Sequence, residues 1–280
     1  MLARFVDLLE EHDRARSALG AFTCYDLEEA RGVLAAAAAR DVGVVLLISR
    51  DAFAAGGGDV MLAAIRAAAE RSPARACVQL DHVSDLELIG SALELGAGAV
   101  MADGSRLSFD ENVELVAAAR KLADAAGAGV EAELGHVAGG EDVAVATEAE
   151  GLTDVEEAKR FVEATGADLL AVSIGNVHGK YASEPRLDWE LLTQLEAAVS
   201  TPLSLHGASG LADADLSRAV DTGVRKVNAN TELREAYLQA TSDGLADALD
   251  GLALMKLHHA QSSAVRAVVE EKLDALKGSE

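Results

Sequence analysis

A single-domain α/β fold of the (β/α)8 barrel type is what this 280-residue sequence predicts. Three observations carry the prediction. Short apolar or β-branched runs alternate with longer helical patterns along the chain. Such runs number eight. Polar residues able to do chemistry gather just after the runs, where a barrel of this type opens its carboxyl face. An open, doubly wound sheet is the structural alternative.

The expected strands, in order, are SALGAF (17–22), VGVVLLIS (42–49), RACVQL (75–80), AGAVMA (97–102), GVEAEL (129–134), ADLLAVSI (167–174), TPLSLH (201–206) and VRKVN (224–228). Helical stretches lie between them, among them DLEEARGVLAAAAARD, DVMLAAIRAAAERS, SDLELIGSALELG and TDVEEAKRFVEATG. Several open on Asp, Ser or Thr, whose side-chain oxygens accept from the free N–H groups of a first turn, and several end at Gly. The chain from Leu233 onward reads as helix. No linker, low-complexity tract or strong repeat divides residues 1–280, so the barrel is placed at about 17–240 and a helical tail at about 241–280. The length of that tail predicts packing against a partner subunit.

Composition narrows the function classes. Half of the residues are hydrophobic, which allows a sizeable core. No apolar run approaches the roughly 20 residues of a membrane span. The N-terminus, MLARFVDLLEEHDRARS, is charged and amphipathic and lacks the apolar stretch of a signal peptide. Cys24 and Cys77 are too few for a disulfide framework or a cysteine-based metal site. A cytoplasmic protein is expected. The net charge of −23 is spread along the chain and would repel a phosphodiester polymer, and aromatics at 3% leave little for base stacking. Nucleic acid is therefore not expected as a partner. The acidic excess fits a salt-adapted surface or a GC-rich coding bias equally, and neither bears on function.

The strand ends supply the candidate site. Asp81 and His82 follow the third strand, Asp103 and Ser105 the fourth, and Glu133 closes the fifth. His178 follows the sixth, His206 and Ser209 the seventh, and Asn228, Asn230 and Thr231 the eighth. Three of the seven histidines thus stand at equivalent strand ends. Three neutral imidazoles converging on one point suit zinc with an open fourth position, and other divalent first-row metals share that donor preference. His12, His258 and His259 lie in charged terminal helices and read as solvated, while His136 reads as an exposed loop residue near the site. In HGASG, small residues let backbone N–H groups close around an anion at a helix start, with the Ser209 hydroxyl added. Barrels commonly bind phosphate at the loops after strands seven and eight, where HGASG and NANTE lie. Metal, helix ends and amides would give an acidic protein the positive potential that an anionic ligand needs. The loop GHVAGGEDVAVATEAEG carries Glu141 and Asp142, which read either as a lid-borne acid or base or as a solvated acidic loop.

Taken in order, LDH (80–82), VMADGSRLSFDENV (100–113), VEAELG (130–135), GGED (139–142), GNVHGKYASEPRLD (175–188), LHGASG (205–210) and KVNANTEL (226–233) resemble the class II, metal-dependent ketose-bisphosphate aldolases. The HGKYASEP stretch is most similar to the tagatose-bisphosphate and fructose-bisphosphate branch, and the similarity runs from about residue 17 to 240. The resemblance implies a (β/α)8 barrel with one zinc per subunit held by His82, His178 and His206. It implies reversible cleavage of a ketose bisphosphate to dihydroxyacetone phosphate and an aldehyde such as glyceraldehyde 3-phosphate. Asp81 would act on the hydroxyl at the scissile bond, and Glu141 would handle the proton on the carbon of dihydroxyacetone phosphate. Gly179, Gly207, Ala208 and Ser209, with Asn228, Ala229, Asn230 and Thr231, would hold the phosphate. A monovalent cation near those loops, and assembly as a homodimer or homotetramer, are further implications. Asp103 and Glu133 match acidic positions near the metal without being expected as ligands.

Departures from the pattern bear on the substrate. Thr23 and Asp26 stand where the family usually places asparagines, and Ser49 is followed by Arg50, a candidate contact for a distal phosphate or carboxylate. A phosphorylated keto-sugar acid is therefore an alternative substrate. Two further alternatives are a Schiff-base aldolase using Lys226 or Lys180, and a non-catalytic accessory subunit that binds metal and phosphate. Lys226 is set aside because no acid is apparent beside it, and the accessory role because it would need no Asp81. Adjacent residues of an extended strand point to opposite faces. Asp81 and His82 can meet at one site only if the strand bends, and Val83 follows where relatives often have glycine.

Overall fold

The structure is a computed structural model and describes residues 1–140, 142, 146–149 and 151–278. Eight parallel strands close into a barrel: β1 (Leu19–Thr23), β2 (Val44–Ser49), β3 (Ala76–Val83), β4 (Ala99–Ala102), β5 (Gly129–Leu134), β7 (Leu169–Val172), β9 (Leu203–Leu205) and β10 (Val224–Ala229). Each falls on one of the eight expected runs. The short β6 (Ala146–Thr147) and β8 (Lys180–Tyr181) pair with each other outside the barrel. The sheet closes by pairing β1 with β10, Ala21 opposite Asn228, so the eighth strand end lies beside the first.

The helices are α1 (Phe5–Ala15), α2 (Leu27–Arg40), α3 (Arg50–Ala54), α4 (Gly58–Arg71), α5 (Leu86–Glu94), α6 (Phe109–Ala126), α7 (Val155–Thr165), α8 (Trp189–Ala198), α9 (Asp213–Asp221), α10 (Thr231–Gly251) and α11 (Leu254–Ala275). Asp26, Asp85, Asp154 and Asp188 accept from first-turn N–H groups, and Ser108 forms a full capping box with Glu111. Gly127 and Gly166 end α6 and α7 in the left-handed conformation.

The amino end of the barrel is closed by α1. Phe5, Leu8 and Leu9 pack onto Leu19, Val45, Cys77, Ala99 and Leu169, which point into the barrel. His12 lies on the same helical stripe as residues 5, 8 and 9 and is buried, with its Nδ1 2.8 Å from Ser17 Oγ. The expectation that His12 is solvated is thereby corrected: the charged residues of α1 occupy its other face.

At the other terminus α11 lies along α2 and α10, burying Val265, Val269 and Leu273. A Cβ at Gly32 would stand 2.7 Å from the Ser262 carbonyl oxygen, so α2 meets α11 at backbone distance. Arg40 closes this contact through Glu270 at 3.0 Å and Asp274 at 2.8 Å. The tail thus packs in large part on its own barrel. The apolar side chains it leaves in solvent, Leu245, Leu249, Leu252, Leu254 and Met255, sit at the α10–α11 corner.

Near the carboxyl end of the barrel, Glu29 of α2 is buried and accepts from the Tyr25 N–H at 2.5 Å. Burial pushes its carboxyl up to about 7. Protonated Glu29 therefore contributes stability that is full below the ordinary carboxylate range and is lost as pH rises through about 7. Glu29→Gln is expected to gain up to about 3 kcal/mol over the native chain at pH 8 and little at pH 5. Urea melts at the two pH values check this; an equal effect at both would show that Glu29 is ionised throughout.

Candidate active site

Three strand ends deliver three imidazoles to one point. His82 belongs to β3, His178 precedes β8, and His206 follows β9 directly. Their candidate ligand atoms lie within 4.8 Å of one another. Ring centroids are 4.8 Å apart for His82 and His178, 4.9 Å for His82 and His206, and 5.8 Å for His178 and His206.

The required bend is at His82 itself. Its φ is +52°, in the left-handed region, and the β3–β4 register shifts between Leu80 and Val83. That conformation costs a non-glycine residue about 1–2 kcal/mol. It lets His82 reach the wall of a cavity while Asp81 stays buried one residue earlier, its charge still felt by the imidazole. Val83 stays buried in the strand, because the turn is complete one residue before it.

Carboxylates set the tautomers. His82 Nδ1 is 2.8 Å from Asp103 Oδ2, and His206 Nε2 is 2.8 Å from Glu131 Oε1. Each carboxylate faces an N–H, which leaves His82 Nε2 and His206 Nδ1 turned toward each other at 3.0 Å. Two lone pairs at that distance repel unless a cation lies between them. Tetrahedral zinc ligands at about 2.0–2.1 Å from the metal are about 3.3 Å apart, so these nitrogens fit a bound metal with small adjustment. A proton can also occupy the gap. Burial opposes a charge on His82, but Asp81, Asp103 and Glu133 outweigh it and raise its pKa, while burial pushes His206 down to about 4. Metal uptake would displace that proton.

Beneath the histidines lies a polar layer that strand-end reading did not find. Gln79 Nε2 donates to Glu131 Oε2 at 2.7 Å and to Asp81 Oδ1 at 3.3 Å. Lys226 Nζ donates to Glu131 Oε2 at 2.8 Å and to Asn228 Oδ1 at 2.5 Å. Asn228 Nδ2 stands 3.4 Å from both Asp81 Oδ2 and His206 Nδ1. The signal was present as a period of two: Gln79 lies two residues before Asp81, Glu131 two before Glu133, and Lys226 two before Asn228. The sequence argument that Lys226 has no acid beside it is corrected, since its ammonium faces Glu131 with both side chains 0% exposed. The same contact commits that ammonium to the ion pair and removes it from solvent. Burial would raise the Glu131 carboxyl, yet Lys226 and His206 hold it below the usual carboxylate range.

Asp103 and Glu133 stand behind His82, on its Nδ1 side. Glu133 Oε2 is 3.7 Å from that nitrogen, and its Oε1 accepts from the Val137 N–H at 3.0 Å. Burial and the charge of Asp103 push the Glu133 carboxyl up to about 7.

Of the residues expected around phosphate, Gly179, Ser209 and Thr231 line one cavity of about 350 Å³, beside Lys180 and Tyr181. Gly207 has φ +64°, and a Cβ there would lie 2.0 Å from the Val177 carbonyl oxygen, so only glycine fits. Its own carbonyl accepts from Tyr181 Oη at 3.0 Å. Ala208 and Ala229 are buried, and the Ala208 N–H donates to the Asn228 carbonyl at 3.3 Å. The HGASG segment forms a turn, and α9 begins only at Asp213, so the helix that opens directly at this end is α10 at Thr231. Asn228 belongs to the layer under Asp81, and Asn230 Nδ2 donates to Tyr25 Oη at 3.1 Å.

On the loop after β5, Asp142 accepts from Tyr25 Oη at 2.5 Å and from Ser49 Oγ at 3.2 Å, and its carbonyl accepts from Arg234. Glu141 lies outside the described residues. Asp26 caps α2 and accepts from Tyr237 Oη at 2.6 Å, which commits its carboxylate to the helix. Ser49 and Arg50 line a second cavity, of about 320 Å³, together with His82 and His178.

The model of the class II fructose-bisphosphate aldolases matches residues 3–280. The chain belongs to this family. Among solved structures, the YdjI aldolase from Escherichia coli K12 is 30% identical, with 99% of this chain and 97% of that one covered and a TM-score of 0.88. A protein assigned as a fructose-1,6-bisphosphate aldolase from Coccidioides immitis is 29% identical, covering 98% and 96%, at a TM-score of 0.89. The fructose-bisphosphate aldolase of Campylobacter jejuni, at 19% identity with 99% and 97% covered and a TM-score of 0.79, shares the fold. The aldolase family makes this protein a lyase, and its members act on phosphorylated sugars. The paired nitrogens of His82 and His206 are the feature of this aldolase barrel that fits the metal dependence general in the family. No helix among the described residues is long and apolar enough to cross a membrane.

Proposed function

We propose that the protein is a zinc-dependent aldolase that reversibly cleaves fructose or tagatose bisphosphate to dihydroxyacetone phosphate and glyceraldehyde 3-phosphate. The observation that supports this most directly is the pair of imidazole nitrogens 3.0 Å apart, each backed by a carboxylate, with Asp81 linked to them through Asn228. His82, His178 and His206 would hold one zinc, which when bound supplies Lewis acidity for the negative charge that develops on the substrate carbonyl oxygen. Asp81 takes the proton of the hydroxyl at the scissile bond as the carbon–carbon bond breaks, and returns it in condensation. Glu141 gives a proton to the carbon of dihydroxyacetone phosphate. Gly179, the turn Gly207–Ser209 and the segment Asn228–Thr231 grip the phosphate, with a monovalent cation nearby. The exposed leucines of the α10–α11 corner support a homodimer or homotetramer, and the cytoplasm is the proposed location.

A keto-sugar acid is the second reading, favoured by Arg50 at the wall of the cavity beside His82. The test is cleavage of both bisphosphates in a coupled triose-phosphate assay before and after chelator treatment. Activity is expected to fall at least about 100-fold and to return with zinc. The ratio between the two sugars identifies the substrate. Chelator-resistant turnover with borohydride-trapped substrate would establish a Schiff-base lysine instead.

A further inference from the structure

We infer that Tyr25 is a positioning residue for the proton transfer at carbon: from the opposite side of the barrel mouth, its hydroxyl fixes Asp142, the residue that follows Glu141 in the chain. The inference rests on the aldolase reading above and deepens it by assigning what holds the loop after β5.

The barrel order sets β5 opposite β1, with β10, β9 and β7 between them on one side and β4, β3 and β2 on the other. A loop that left β5 and kept to its own rim would not meet β1. Ala138 is still on the near side, where its carbonyl accepts from the His178 N–H at 2.7 Å. Asp142 is on the far side, 2.5 Å from the hydroxyl of Tyr25, which follows β1. The chain therefore passes across the mouth between these two residues. Gly139, Gly140 and Asp142 accordingly line one cavity with His82 and His178.

Asp142 is held there through both carboxylate oxygens and its carbonyl. Oδ1 accepts from Tyr25, Oδ2 accepts from Ser49 Oγ at 3.2 Å, and the carbonyl accepts from Arg234. The donors come from the ends of β1 and β2 and from α10, so three separate elements converge on one loop residue. Among them Tyr25 makes the shorter contact with the carboxylate, and a hydrogen bond to an ionised acceptor is roughly twice as strong as a neutral one. The tyrosine is itself fixed at both ends. Its N–H donates to Glu29 at 2.5 Å, and its oxygen accepts from Asn230 Nδ2 at 3.1 Å, which leaves its single proton for Asp142. The Arg234 guanidinium lies 5.8 Å from the ring centroid and steadies the ring. Burial and the neighbouring Asp142 raise the Tyr25 pKa, so the hydroxyl remains a donor. Misplacing a reacting group by about 1 Å can cost about 100-fold in rate, so an anchor on the next residue matters to Glu141.

Proton exchange at the hydroxymethyl carbon of dihydroxyacetone phosphate in heavy water, with no aldehyde present, reads this step apart from carbon–carbon cleavage. The C–H bond breaks, its proton passes to the carboxylate of the protein, and a solvent deuteron returns to the carbon. With zinc-loaded enzyme, Tyr25→Phe is expected to slow exchange at saturating substrate by about 10- to 100-fold, with KM and zinc content near native. Asp142→Ala, a change in the loop alone, should give a loss of the same order. The double variant should be slower than Asp142→Ala by no more than about twofold, because both changes remove one shared interaction. Native exchange in either single variant, a loss carried by KM or by zinc content, or losses that multiply in the double variant would overturn this inference and leave the aldolase reading intact. A native enzyme that neither exchanges this proton nor cleaves a ketose bisphosphate overturns both.

Discussion

Asp81→Asn is expected to lower turnover by about 10³- to 10⁴-fold while zinc content stays at the native level. An amide cannot accept the substrate proton, and His82, His178 and His206 keep their nitrogens. The surroundings say why the carboxylate form matters. Gln79 Nε2 and Asn228 Nδ2 both donate to Asp81, one to each oxygen. That arrangement suits a carboxylate, which accepts on both sides, and an asparagine must turn its own N–H toward one of the donors. Metal analysis together with kcat on the preferred bisphosphate is the check. Activity within about tenfold of native would remove Asp81 from the proton transfer and reopen the accessory-subunit alternative.

The second large effect concerns a fully buried residue beneath the histidines. Glu131→Leu is expected to cost about 3–5 kcal/mol, because it leaves the Lys226 ammonium buried without its partner. It should also weaken zinc binding by about 10- to 100-fold, because Glu131 fixes the His206 ring and its tautomer. Adding Lys226→Met separates the two consequences. The double variant replaces a buried ion pair by apolar side chains, a change that is often neutral or stabilising, so urea stability should recover while zinc affinity remains low. Chelator competition reads the affinity. Native zinc affinity in the double variant would show that His206 is held by packing alone.

These two residues divide what sequence reading reached from what it did not. Asp81 was legible because barrel topology places function just after the strands, and a polar pair after an apolar run stands out. The same rule found His82, His178 and His206 with no knowledge of distances. It also placed Ser209 and Thr231, which share a cavity in the structure with Gly179, a residue named only through the family resemblance. Glu131, Gln79 and Lys226 were missed because they sit within strands, where a polar residue can face either the barrel axis or the helices. Stepping back by two from Asp81, Glu133 and Asn228 reaches all three, but only closure of the sheet shows that those faces point inward together. His12 was misread for a related reason: charge in the neighbouring residues hid the apolar stripe that carries it against the barrel end.

The sequence by itself determined the alternation of strands and helices, and with it the barrel and the three imidazoles at one end, since periodicity and capping are local properties of the chain. Only the tertiary structure decided which nitrogen of His82 and of His206 faces the centre. Asp103 acts on His82 across 21 residues, Glu131 on His206 across 75, and Lys226 on Glu131 across 95. Hydrogen bonds and buried charges act over a few ångströms, so partners this far apart in sequence are chosen by the closing of the barrel and the left-handed turn at His82, which bring them within reach.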